Sequence, residues 1–147
     1  MDQSTIQIII GQTADFPAIE HLLTSHRLPL EGFPKDLAVI LVAKEADRMI
    51  GCVGYEQYGP YALFRSLAVA ADMHGRGLGK QLTQAILQKA KDDQIEAIYL
   101  LTETATNFFP KFRFQAISRD DVPHAVKQSI EFTSACPASA QAMVLAL

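Results

Sequence analysis

The chain has 147 residues and a mass of 16.2 kDa, enough for one sizeable core but hardly two. Hydrophobic residues at 49% against 20% charged exclude intrinsic disorder, and the apolar run through Ala38 to Ala43 is far too short to cross a bilayer. With 13 Lys and Arg against 16 Asp and Glu the formal charge is −3, so the chain lacks the broad positive field that nonspecific nucleic-acid binding requires. No nucleic-acid and no membrane partner is expected. The start, Met1 to Ile6, has no basic segment followed by an apolar stretch and a cleavage site, so secretion is not signalled and a cytoplasmic enzyme or binding domain is expected. Cys52 and Cys136 have no CxxC spacing and read as reduced core thiols.

In chain order, Thr5 to Ile10 is β-branched and apolar and predicts a first strand that Gly11 ends. Thr13 or Asp15 then caps a helix over Phe16, Ile19, Leu22 and Leu23. Pro29, Gly32 and Pro34 break the next segment, leaving a short helix or a loop around Leu28 to Leu37. The strands Ala38 to Ala43, Met49 to Tyr58 and Tyr61 to Val69 follow, separated by the polar turn Lys44 to Arg48 and by Gly59-Pro60. Together they predict an antiparallel meander. From Gly77 the period becomes helical, with Leu78, Leu82, Ala85, Ile86 and Ala90 on one face, and the helix ends near Asp92-Asp93. Ile95 to Thr102 predicts a strand, Ala105 to Phe112 a short helix, Phe114 to Ser118 a strand, Val122 to Lys127 a helical turn, and Ala142 to Leu147 a closing strand. The expected fold is a single α/β (α+β) domain. Its mixed central sheet has an antiparallel N-terminal meander and helices on both faces, and the strands flanking the long helix are parallel neighbours. Their C-terminal ends are the natural ligand position.

Ser66 to Leu82 holds the densest functional signal, a strand that meets a glycine-rich turn opening an amphipathic helix. Glycines 75, 77 and 79 remove the Cβ atoms that would keep an anion from the backbone, and the first N–H groups of the helix point outward at the positive end of its dipole. A pyrophosphate fits such a cradle. Gln81 after Lys80 breaks the P-loop pattern, and GxGxG is not the dinucleotide fingerprint GxGxxG.

Leu67-Ala68-Val69 followed by His74-Gly75-Arg76-Gly77-Leu78-Gly79 resembles the signature of the GNAT superfamily of acetyl-CoA-dependent acetyltransferases: a strand ending L-x-V, then (Q/R)-x-x-G-x-(G/A) at a helix start. The resemblance implies one GNAT-like domain over residues 1–147 with acetyl-CoA as co-substrate. Leu67, Ala68 and Val69 would hold the pantetheine arm, and the backbone of His74, Gly75, Arg76, Gly77, Leu78, Gly79 and Lys80 the pyrophosphate. His74 departs from the usual Gln or Arg. Further on, Ala105 to Phe114 resembles the family form A-x-x-F-Y-x-x-x-G-F, with Phe109 in place of the Tyr and Arg113 in place of the Gly. That Tyr often protonates the departing thiolate, which phenylalanine cannot do.

Within the superfamily, Leu63 to Leu67, Leu100 to Ala105 and the tail from Val122-Pro123 to Ala140 resemble the acetyltransferases encoded with bacterial arsenic-resistance genes. The Leu-Thr-x-x-Ala-x-x-Phe-Phe run also resembles the acetyltransferase domain of N-acetylglutamate synthases. Both imply a small amino-acid-like amine as acceptor, and closing strands in the superfamily often pair subunits, which leaves monomer and homodimer both open.

Direct attack of a neutral amine on a thioester needs a proton acceptor and donors aimed at the carbonyl oxygen. Backbone N–H groups near Leu67 to Val69 suit the second role. Glu56 and Glu103 are the candidate catalytic carboxylates; the alternatives are a solvated edge charge for Glu56 and a helix-start acid for Glu103. Arg65, a cation in an apolar strand, is the candidate clamp on a substrate carboxylate with Ser66 beside it, the alternative being an internal salt bridge with Glu56 or Glu131. A bulge in this strand would change its face assignment. His21, His26 and His124 lack ligand spacing and read as surface residues, and no metal site is expected. The two functional classes are thus an N-acetyltransferase and a non-catalytic acetyl-CoA-binding sensor.

Overall fold

β-Branched and apolar alternation over the first half of the chain builds four strands that pair antiparallel in sequence order: β1 (Ile6–Ile10), β2 (Ala38–Glu45), β3 (Arg48–Tyr58) and β4 (Tyr61–Val69). This computed structural model describes residues 6–26, 38–103, 105–129 and 140–147. The segment expected as a short helix or loop at Leu28 to Leu37 lies outside them, as does Cys136. Helix α1 (Phe16–Ser25) follows β1, and α2 (Leu78–Asp92) joins β4 to β5 (Ala97–Thr102). Then come β6 (Gln115–Ile117), the single turn α3 (His124–Lys127) and β7 (Gln141–Ala146). The sheet order is β1-β2-β3-β4-β5-β7-β6.

β4 and β5 are parallel neighbours, as the two strands flanking a long helix should be, but their register runs only over Tyr61↔Ala97, Ala62↔Ile98 and Leu63↔Tyr99. Beyond Leu63 they part. Ala62 and Phe64 enter the main core with Leu82 and Ile86 of α2. Leu63 points the other way, into a smaller cluster with Tyr99, Val122 and Val126 beneath α3. Side chains on both faces of the sheet are therefore covered.

Three local expectations are corrected by hydrogen bonding. Ala105 to Phe112 is not a continuous helix: apart from one longer Phe109 N–H to Ala105 bond at 3.4 Å the bonds there are of the i to i+3 kind, and only Phe109–Phe112 forms a 3-10 turn. Pro110 has no N–H to continue a helix, and Arg113 at φ +75° ends the turn. Ile95 belongs to the end of α2 instead of starting β5. Its N–H donates to the Ala90 carbonyl and that of Gln94 to Lys91, with Gln94 left-handed at φ +64°, which is a Schellman cap. Asp15 occupies the N-cap position of α1, but its carboxylate accepts from the Gln12 N–H at 2.8 Å and from Lys44 Nζ at 2.8 Å.

Those two donors, the Lys44 ammonium foremost, hold the Asp15 carboxyl below the usual carboxylate range. A lowered folded-state pKa contributes stability above the unfolded value of about 3.9, which is lost as pH falls through the folded value. Asp15→Asn is therefore expected to destabilise the chain at pH 7 and to matter progressively less toward pH 3. Urea unfolding at both pH values checks this, and an equal difference at both would refute it.

Candidate functional site

The parting of β4 from β5 opens a cleft of about 700 Å³. One wall is Leu67 to Val69 at the end of β4, the floor is the glycine loop and first turn of α2, and the facing wall is Ala105, Asn107, Phe108 and Lys111. Of the residues expected from sequence to hold a coenzyme, Leu67, Ala68, Val69, His74, Gly75, Gly77, Leu78, Gly79 and Lys80 all line it. Arg76 does not; its guanidinium turns to Met73 Sδ at 3.8 Å.

The loop conformation explains the glycines. Gly75 and Gly77 have φ of +83° and +76°, in the left-handed region that costs other residues roughly 1–2 kcal/mol. Gly77 is the N-cap of α2, so the first N–H groups of a 15-residue helix open onto the cleft floor. A Cβ on Gly79 would lie 3.9 Å from both Phe108 and Val69, standing in the gap between the two walls. The cradle therefore fits a phosphate group, with Lys80 and Lys111 as nearby cations.

His74 Nε2 lies 2.9 Å from the Val69 carbonyl. A carbonyl only accepts, so Nε2 carries the proton. The His74 ring also meets that of His26 edge to face, with centroids 5.7 Å apart. His26, read from sequence as a surface residue, thus lines the cleft. Its Nδ1 is 3.1 Å from the Leu22 carbonyl at the end of α1.

The expected polar residues of the chemistry are placed differently. Arg65 and Glu56 do not line the cleft. Their side chains are 1% and 3% exposed and form a salt bridge at 2.7 Å, the internal pairing that stood as the alternative to a substrate clamp. Glu56 is no solvated edge charge either: it also accepts from the Tyr58 hydroxyl and from Ser129 Oγ at 3.1 Å. Ser66 Oγ accepts from Arg65 Nε at 3.1 Å. Glu103 is exposed at the end of β5. Phe109, at the usual Tyr position, is 5% exposed and packs against Phe64, Phe108 and Phe114, while its neighbour Phe108 faces the cleft.

Sequence reasoning missed His26, Met73, Asn107, Phe108 and Lys111 as cleft residues. Their signal was weak because they reach the cleft through turns whose direction tertiary packing decides.

The acetyltransferase (GNAT) family model matches residues 10–114, most of the chain. The chain belongs to the GNAT acetyltransferase family. As a GNAT domain it is an N-acetyltransferase with acetyl-CoA as co-substrate. Among curated relatives it is 28% identical over 120 residues to an amino-acid acetyltransferase of Mycobacterium tuberculosis, covering 73% of this chain and 67% of that one. The N-acetylglutamate synthase of Neisseria gonorrhoeae, solved with coenzyme A and N-acetyl-glutamate, matches with a TM-score of 0.80 at 18% identity. That match covers 99% of this GNAT domain but only 36% of the synthase. A Mycobacterium tuberculosis protein solved with CoA matches with a TM-score of 0.76 at 22% identity over 96% of this chain and 99% of its own. No helix among the described residues is long and apolar enough to cross a membrane.

Proposed function

We propose that this GNAT domain moves acetyl from acetyl-CoA to the amine of a small amino-acid-like substrate, by direct attack in a ternary complex. The observation that carries the reading is the slit beyond Leu63 and Tyr99, whose walls meet a loop of left-handed glycines at a helix start. Acetyl-CoA supplies an activated thioester. Leu67, Ala68 and Val69 hold the pantetheine arm, with their backbone N–H groups as donors to the carbonyl oxygen as it gains charge, and the backbone from His74 to Lys80 holds the pyrophosphate. Glu103 is the carboxylate we assign to take the amine proton through water, because Glu56 is already occupied by Arg65, Tyr58 and Ser129. With Phe109 in its aromatic cluster, the thiolate leaves as an anion, which a thiol pKa near 8.5 permits.

The amino-acid acceptor is supported by the names of the relatives, an amino-acid acetyltransferase and an N-acetylglutamate synthase. The narrower link to arsenic resistance has only sequence motifs in its support, and arsenical tolerance of a host with and without the chain tests it. A cytoplasmic location and pairing of two copies belong to the same reading, checked by fractionation and light scattering. Thiol release from acetyl-CoA with a panel of amino acids and simple amines is the deciding assay. Release that depends on one class of amine is expected. Coenzyme binding without any amine-dependent release would favour the sensor instead.

A further inference from the structure

The register between β3 and β4 slips at one place. Cys52 pairs with Ala68 and Gly54 with Arg65, so Val53 alone faces two residues, Ser66 and Leu67. This is a β-bulge on β4, immediately before the cleft wall. Its first residue, Ser66, has φ +64°, the left-handed geometry that such a bulge ordinarily gives to glycine. A serine there needs something to hold it.

Two side chains do. Arg65 Nε donates to Ser66 Oγ at 3.1 Å, and Cys52 Sγ donates to the Ser66 carbonyl at 3.3 Å. The cysteine can donate because burial pushes its thiol up to about 12, keeping the proton on sulfur. Arg65 is in turn fixed by Glu56 at 2.7 Å, and Glu56 by Tyr58 and by Ser129 Oγ, which lies 3.1 Å from each carboxylate oxygen. A hydrogen-bonded chain thus runs from Ser129, two residues past α3, through the buried ion pair, to the hydroxyl of the one left-handed residue in β4.

We propose that Glu56 and Arg65 are positioning residues, which lock Ser66 in the bulge and thereby aim the backbone N–H groups of Leu67 to Val69 into the cleft. Beyond the bulge Ala68 and Val69 pair again with Cys52 and Gly51, so the register and facing of this stretch are set by the two-for-one step at Ser66 and Leu67. Arg65 then serves catalysis without touching substrate. The inference rests on the acetyl-transfer reading only for what the N–H groups address.

The test uses the full chain and a double-mutant cycle. Arg65→Lys keeps a cation beside Glu56 but loses the Nε donor to Ser66. We expect amide hydrogen exchange across residues 66–69 to speed about tenfold. With the best amine of the panel, kcat should fall about tenfold while KM for acetyl-CoA stays within about twofold. Adding Ser66→Gly to that variant supplies a residue that adopts the bulge unaided, so exchange protection and kcat should return to within about threefold of the parent. Additive losses in the double variant overturn the proposal. So does a rise in the amine's KM with exchange unchanged, which would put Arg65 on the acceptor. If circular dichroism shows Arg65→Lys misfolded, Ser66→Ala leaves the ion pair intact and must by itself speed exchange at residues 66–69; unchanged exchange there refutes the lock. If the parent chain transfers acetyl to no amine, the enzymatic reading fails, and the exchange measurements alone still decide the positioning role.

Discussion

Gly77→Glu is expected to weaken acetyl-CoA binding by at least about a hundredfold while leaving the sheet and α2 folded. Gly77 combines three properties at one position: φ of +76°, the N-cap of α2, and a place on the cleft floor. A Cβ built there meets nothing within 4 Å, so the free protein has room for a side chain and only the left-handed backbone resists it. The larger penalty falls on the complex. A carboxylate within about 4–5 Å of a pyrophosphate costs on the order of 3 kcal/mol at an effective dielectric of 20 before salt screening, equivalent to roughly a hundredfold in affinity. Gly77→Ala carries the backbone cost without the charge, so the gap between the two variants isolates the electrostatic part. Titration calorimetry with acetyl-CoA measures both. Parent-like affinity in the glutamate variant would mean that the anion does not sit at this helix start.

The second large effect is on stability. Glu56→Leu is expected to lower the unfolding free energy by about 3–5 kcal/mol, since it removes the carboxylate that balances a buried guanidinium. The Arg65 and Glu56 side chains are 1% and 3% exposed, so little water is available to compensate. The Tyr58 and Ser129 hydroxyls lose their acceptor in the same step. Glu56→Leu combined with Arg65→Met should recover most of that loss, because an apolar pair of similar volume replaces a buried ion pair at little net cost. Chemical denaturation of the three variants provides the comparison. A single variant that loses less than about 1 kcal/mol would show that solvent reaches the pair.

How far the sequence foretold the site depends on the range of the interactions involved. The meander, α2 and the glycine loop were legible because each is written locally, in alternation, in a 3.6-residue period and in Gly75, Gly77 and Gly79. The parallel pairing of β4 with β5 followed from the helix between them. The end of that pairing at Leu63 did not, because nothing in Phe64 or Leu100 announces that two strands stop bonding. Arg65 shows the same boundary. Its chemistry demands a partner, for which Glu56 and Glu131 are the internal candidates, but whether it faces the cleft or the interior turns on the bulge at Ser66. A serine in a strand gives no sign of a positive φ. Phe109 stands where an acid is usual, but the run of Phe108, Phe109 and Phe112 favours core packing, and the rings of Phe64, Phe108 and Phe114 around Phe109 bear that out. His26 reached the cleft through the packing of α1, which no spacing between histidines records.

The short register between β4 and β5 also has a mechanical meaning. Four strands on one side and three on the other form two plates, joined along their shared edge by the rungs from Tyr61 to Leu63 and by the α2 crossover. Beyond those rungs the two leaves are held by side-chain packing, Phe64 against Phe109 and Phe114, in place of backbone bonds. Coenzyme seated between the leaves would bridge them where backbone rungs are missing, so ligand binding and resistance to unfolding would rise together. The same slit that admits the acyl donor is then the place where the empty domain has least to hold it closed, and a melting temperature that climbs with acetyl-CoA concentration is its natural signature.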